Sequence, residues 1–182
     1  MGAERPSRLR RVASGVVTVL LVVVVAVLVR QFVAEAYYVP SGSMLETIHE
    51  GDLVLGEKVS FRLRDPRPGD VVTFVQPDGR TLVKRVVAVA GQQVRIEAGR
   101  VLVDGVRLDE PYVGGQPTYD LTPLPGSAGI AYPYTVPDGC VWVMGDNRTD
   151  SKDSRYFGPV SIDDVTSRAA VIYWPPADMA VL

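Results

Sequence analysis

The chain has 182 residues, with 19 Lys and Arg against 21 Asp and Glu, one His, one Cys and a formal net charge of −2. That balance excludes a basic surface able to neutralise a phosphate backbone, so nucleic acid is not an expected partner. The lone Cys140 excludes an internal disulfide, a Cys-rich zinc cluster and a Cys-x-x-Cys redox pair, and in Cys140-Val141-Trp142-Val143-Met144 it reads as a small packing residue.

The first element in chain order is apolar. Between Arg11 and Arg30 lie eighteen uncharged residues, Val12 to Val29. At about 1.5 Å per residue they cover roughly 27 Å of helix, close to the hydrocarbon thickness of a bilayer. The run is apolar on every side, which argues against a helix packed in a soluble core with one face to water. A secretory signal is the competing reading, since Ala34-Glu35-Ala36 has the form of a small-x-small cleavage site. The run is longer than a usual signal core, and Arg30 and Gln31 interrupt it before the alanines, so a retained anchor over 12–33 is the expectation. Arg5, Arg8, Arg10 and Arg11 precede it, placing residues 1–11 in the cytoplasm and residues 34–182 outside. Phe32, Tyr37 and Tyr38 fit either a headgroup layer or ordinary strand packing.

Beyond the anchor the expected fold is mainly β, an antiparallel extracytoplasmic domain. Short valine-rich runs recur between turn residues, at 53–59, 71–75, 81–90, 93–97, 100–103, 141–144 and 169–174. Asp104-Gly105 between Val103 and Val106 predicts a hairpin. The Gly- and Pro-rich stretch 114–133 reads as loop, within a loop-rich insert around 105–140.

Two residues stand out chemically. Ser43 follows the apolar run by fourteen residues, in Pro40-Ser41-Gly42-Ser43-Met44, where Gly42 permits a sharp turn and a close approach to substrate. Strand alternation places Lys84 on one face with Leu82, Val86, Ala88 and Ala90, and Val83, Arg85, Val87 and Val89 on the other. Apolar neighbours would lower the lysine pKa toward the range of a general base, whereas a strand lysine that reaches solvent or a carboxylate stays charged. The chain has only three lysines. Lys152 sits in a polar turn and Lys58 follows Glu57, which leaves Lys84 as the lysine best placed to be a base. A histidine base would have to be His49, six residues from Ser43 in a stretch with turn character.

With the later segments added, the chain resembles the type I signal peptidases, the bacterial leader peptidases with a Ser-Lys dyad. The resemblance rests on Pro40-Ser41-Gly42-Ser43-Met44, Arg67-Pro68-Gly69-Asp70-Val71-Val72-Thr73-Phe74, Lys84-Arg85-Val86-Val87 and the run from Gly145-Asp146-Asn147-Arg148 to Asp153-Ser154-Arg155, in that order behind an anchor. Glu110-Pro111-Tyr112 after the hairpin is also similar. The resemblance implies Ser43 as nucleophile and Lys84 as base. It further implies Ser151 as a hydroxyl orienting the lysine amine, Ser41 with the Ser43 N–H as oxyanion donors, and Asp146, Asp153 and Arg155 as structural support. By position, Val39, Met44, Leu82 and Val83 would line shallow pockets for small substrate side chains, with residues 35–39 and 81–84 flanking an extended substrate.

The implied activity is cleavage of signal peptides from exported preproteins after small residues, at the plasma membrane of a bacterium. It would proceed in a monomer without metal or cofactor. Two departures bear on substrate preference and loop geometry: Glu46 stands where the family usually has proline, and Ala88-Val89-Ala90-Gly91-Gln92 where it commonly has Gly-x-Pro-Gly-Asp. Two rival readings are a self-cleaving Ser-Lys protein of the LexA repressor type, which would call for a DNA-binding domain in place of the anchor, and a non-catalytic anchored β scaffold.

Overall fold

The computed structural model describes residues 8–182; residues 1–7 of the expected basic N-terminus lie outside them. The apolar run forms α1 (Arg8–Phe32), within which Ser14–Phe32 has a mean hydropathy of 2.5 and no buried residue. Valine is a modest helix former in water, but in hydrocarbon only a closed hydrogen-bond ladder satisfies the backbone, and a helix supplies it within one segment. The helix is long and apolar enough to cross a bilayer.

At its C-terminal end α1 is tied to the rest of the molecule. Lys58 Nζ donates to the Arg30 carbonyl at 3.0 Å and to Glu35 Oε2 at 2.8 Å, while Arg30 pairs with Glu35 at 3.1 Å. Immediately after the helix comes β1 (Ala34–Tyr38), the segment expected to lie beside substrate. Tyr37 is half-buried there and bonded to Glu35, whereas Tyr38 is exposed.

β2 (Leu53–Glu57) ends two residues before the expected Val59. The Glu57 carboxylate accepts from the N–H groups of Val59 and Ser60 and turns the chain into the short α2 (Ser60–Leu63). β3 (Val71–Val75) lies where its valine run predicts, and β4 (Thr81–Val89) ends one residue short of Ala90. The hairpin at Asp104-Gly105 is present, joining β6 (Arg100–Val103) to β7 (Val106–Arg107), with Val103 opposite Val106. β6 also pairs with β5 (Gln93–Glu97), and β5 with the short β8 (Tyr134–Thr135), so the insert is a four-stranded sheet in the order β7-β6-β5-β8. It begins at Gln93, earlier than the expected 105, while residues 114–133 are the turns and loop expected.

The chain then returns to the main sheet through β9 (Cys140–Met144), α3 (Ser154–Phe157), β10 (Val160–Ser161), β11 (Val165–Trp174) and β12 (Ala180–Val181). β11 starts four residues before the expected Ala169. The main sheet is antiparallel in the order β1-β2-β11-β3-β4-β9-β10, with β12 on β11.

The alternation expected along β4 holds up to Val86 and then reverses. A register shift against β9 between Val86 and Ala88 inserts one residue. Leu82, Val86 and Val89 therefore pack in one apolar cluster with Val72, Phe74 and Val143, while Val87 and Ala88 join the cluster of the small sheet. One extra residue exchanges the faces of everything after it.

Candidate active site

β3 and β4 pair from Val71 opposite Arg85 to Val75 opposite Thr81, but β9 meets β4 only from Arg85 onward. The other edge of Thr81–Lys84 is thus unpaired, and β1 is itself an edge strand. A cavity of about 90 Å³ opens between these edges, with Tyr37, Tyr38 and Val39 on one side and Thr81, Leu82, Val83 and Lys84 on the other. Although three strands separate β1 from β4 in the sheet order, both edges line this one gap, because the sheet curls.

Ser43 stands at its end, on the turn that leaves β1. Two backbone acceptors fix that turn: the Gly42 carbonyl takes a bond from Asn147 Nδ2 at 2.9 Å, and the Ser43 carbonyl one from the Asn147 N–H at 3.2 Å. Met44 and Ile48, fully buried, anchor the following residues in the core beside Val54 and Ile172.

Lys84 enters from β4 with its side chain almost wholly buried. Nζ lies 2.7 Å from Ser43 Oγ and donates to the Val83 carbonyl at 2.8 Å. Burial pushes the lysine from an ordinary value near 10.5 down to about 8; the carboxylates of Asp153 and Asp146 act upward, and Arg155 downward. The shift corresponds to roughly 3 kcal/mol, the cost of holding the ammonium protonated in the fold. Between about 8 and 10.5 the unfolded chain carries this proton and the folded chain does not, so this group makes stability rise with pH across that window.

The last box closes the site from below. Asp153 and Arg155 are completely buried and paired, Nη2 to Oδ2 at 2.8 Å and Nε to Oδ1 at 2.8 Å, and Asp153 Oδ2 also accepts from the Gly145 N–H at 3.0 Å. Asp146 accepts from Arg85 Nη2 at 2.6 Å and from the Thr47 hydroxyl at 2.6 Å, joining β4 to the serine loop. Gly145 is a position of close approach: a Cβ there would collide with the Ser43 carbonyl and the Ser151 side chain at once.

Among the described residues Ser151 Oγ, buried beside Gly145, has no hydrogen-bond partner; it makes no bond to the lysine amine, whose partners are Ser43 and Val83. Ser41 lines the cavity, and among the described residues neither its hydroxyl nor the Ser43 N–H is engaged in a hydrogen bond. Val39, Leu82 and Val83 line the gap. Met44 does not. It lies wholly in the core, where its Sδ accepts from the Asp146 N–H at 3.5 Å, because the turn after Ser43 directs it inward. His49 is exposed, 3.8 Å from Asp178 and 2.8 Å by its N–H from Asp52, and it lines no cavity beside Ser43.

Several supporting residues lie in segments that carry the resemblance, but the sequence assigns them no role. Arg148 is buried and held by both carboxylate oxygens of Glu110, by Thr118 at 2.9 Å and by the Gly145 carbonyl at 3.1 Å. Tyr112 lies under the Arg85 guanidinium, 4.1 Å from ring centroid to Cζ. The segment Glu110-Pro111-Tyr112 thus reaches from the small sheet to the floor of the site; the sequence signal was an arginine within an acidic turn, whose partner only the fold supplies. The departures also have a geometry. Glu46 has φ of 79°, which a proline ring held near −65° cannot adopt, so the backbone after Met44 takes its own course. Gln92 accepts from the Val89 N–H and donates to Asp104, closing the turn after β4.

Comparison with known proteins places these observations in a group. The family model described as "Signal peptidase, peptidase S26" matches residues 12–174. A probable signal peptidase I-2 of Synechocystis is 37% identical over 172 residues, 91% of this chain and 74% of its own. Signal peptidase I of Leptolyngbya laminosa is 35% identical, with 95% of this chain and 85% of its own covered. The crystal structure of a signal peptidase I from Enterococcus faecalis superposes with a TM-score of 0.50 at 30% identity, covering 59% of this chain and 98% of that one.

Proposed function

The chain belongs to the signal peptidase family, peptidase S26, and within it we propose that Ser43 is the nucleophile and Lys84 its general base. It is a serine peptidase that removes signal peptides from preproteins. One observation carries the assignment of roles: the 2.7 Å approach of Nζ to Oγ at a buried amine whose pKa is lowered to about 8. A neutral amine at that distance takes the Oγ proton as oxygen attacks the carbonyl carbon before the cut. The negative charge on the tetrahedral oxygen falls to the Ser43 N–H and the Ser41 hydroxyl, whose freedom from other partners among the described residues supports this role. Lys84 then returns the proton to the departing amine, leaving an ester on Ser43, and takes a proton from the water that hydrolyses it.

Ser151 has a place in the protonated stage. The ammonium has three donors, of which two have partners in Ser43 and Val83, and the buried, unpaired Ser151 hydroxyl is proposed as acceptor for the third. Asp146, Asp153 and Arg155 brace the box that carries it.

An extended substrate adds a strand between the free edges of β1 and β4, with alternate side chains pointing into the gap. Its volume of about 90 Å³ is well below the several hundred typical of ligand pockets, which supports a demand for small side chains. The proposed location is a bacterial plasma membrane, with α1 as a retained anchor, the N-terminus cytoplasmic and the β domain outside. Retention is supported by β1: Ala34-Glu35-Ala36 is paired along β2 and held by Lys58.

The test is a panel of precursors varied at the first and third positions before the cut, incubated with the detergent-solubilised protein, with the new N-terminus sequenced. Alanine at both positions is expected to be cut and bulky or charged residues refused. Equal rates across the panel would refute the reading.

A further inference from the structure

A second cavity, of about 480 Å³, adjoins the first, and the two share Ser41, Ser43, Leu82 and Lys84. They meet at the reacting atoms. With the acyl half of a substrate held between β1 and β4 up to Ser43, the half beyond the cut continues into the second cavity, where the walls differ in kind. Gln76 and Arg80 come from the turn between β3 and β4, and Asp150, Lys152 and Tyr156 from the last box and α3. Five times the volume, and walls that mix Tyr156 and Phe157 with Gln76, Arg80, Asp150 and Lys152, fit a segment whose side chains are not restricted to small size, as the start of a released protein must be.

The charges in this cavity are not equivalent. Arg80 is already answered by Asp78 at 2.6 Å. Lys152 has no carboxylate within ion-pair distance among the described residues; its ammonium rests over the Tyr156 ring, 4.8 Å from the centroid. A cation–π contact leaves the N–H groups directed away from the ring free to donate. Asp150 also lines the cavity but does not pair with Lys152.

We propose that the second cavity receives the first residues after the cut, and that Lys152 on its Tyr156 ledge makes it favour a substrate with a carboxylate side chain at one of the first three of those positions. This rests on Ser43 being the nucleophile. At about 3.3 Å per extended residue, three residues reach some 10 Å beyond the cut, a span that a flexible lysine can serve.

The experiment uses the detergent-solubilised full chain and peptides identical up to the cut, each with Asp, Ala or Lys at the first, second or third position after it. The readout is kcat/KM at low and high salt, for wild type and for Lys152→Arg, Lys152→Met and Lys152→Glu. An exposed charge pair corresponds to about a two- to fivefold preference. Wild type and Lys152→Arg are expected to prefer Asp over Lys by that factor at one position, Lys152→Met to lose the preference and Lys152→Glu to invert it, with salt shrinking each ratio. The same Asp-to-Lys ratio in all four proteins, or a wild-type preference for Lys, overturns the proposal. Failure of wild type to cut any peptide with alanine before the cut would instead bring down the Ser43 assignment, and this inference with it.

Discussion

Two regions of the molecule, the interior beneath the small sheet and the surroundings of Ser43, bury different things, although the main sheet also has apolar clusters of its own. The small sheet and the strands it packs on enclose Val94, Val101, Val103, Val136 and Trp142, an apolar cluster. Around Ser43 the main sheet and the last box bury Lys84, Asp146, Arg148, Asp153 and Arg155. Burying a charge is costly unless it is paired, and four of these five are paired, each with good geometry. Lys84 is the exception: its nearest polar neighbours are a hydroxyl and a carbonyl. A charged site thus contains one residue left without a direct counter-ion, and that residue is the one able to lose its charge. The segment that leaves the small sheet shapes the floor through Glu110 and Tyr112, while Lys84, the proposed base, stands on the main sheet.

The comparison breaks most visibly at the dyad. Ser43→Ala, Lys84→Ala and the double substitution should each lower kcat to one common floor, by roughly 10⁴- to 10⁶-fold, since groups acting as a unit are not additive. Lys84→Arg should sit on the same floor, because a guanidinium does not deprotonate near neutrality. Substantial turnover in Lys84→Ala, with loss in His49→Ala, would move the chemistry to the histidine.

Next in size is the pairing that makes burial tolerable. Arg155→Met strands the Asp153 carboxylate in a dry interior and should cost about 3–5 kcal/mol of stability in denaturant melts. A loss below 1 kcal/mol would mean that Asp153 finds another partner or simply protonates.

The pH profile sharpens the contrast. The proposed reacting form of Lys84 is neutral, so below about 8 kcat/KM should rise about tenfold per pH unit and then level. Asp146 holds the lysine pKa up, so Asp146→Asn should move the bend to lower pH. A flat profile from pH 6 to 9 would contradict a lysine base.

The smallest effect belongs to the small sheet. Val94→Ala removes two methyl groups from its core and should cost about 1–3 kcal/mol of stability. The bend in the pH profile should stay where it is. A shifted bend would show that the two sheets are coupled more closely than their contents imply.

Much of this was legible in the chain because it is local. An apolar run of bilayer length, valine runs bounded by turn residues, the Asp104-Gly105 hairpin and the loop at 114–133 each depend on neighbours in sequence, and each is present. The order of the boxes likewise marked Ser43 and Lys84. What the sequence could not determine was meeting and facing. Ser43 and Lys84 are 41 residues apart, and their 2.7 Å approach depends on the order in which strands enter a curled sheet. The inward course of Met44, the Glu110–Arg148 pair and the gap between β1 and β4 have the same origin. The bulge after Val86 shows why: alternation assigns faces only while the register is unbroken, and whether one residue is inserted is settled by the partner strand, which the local pattern does not contain.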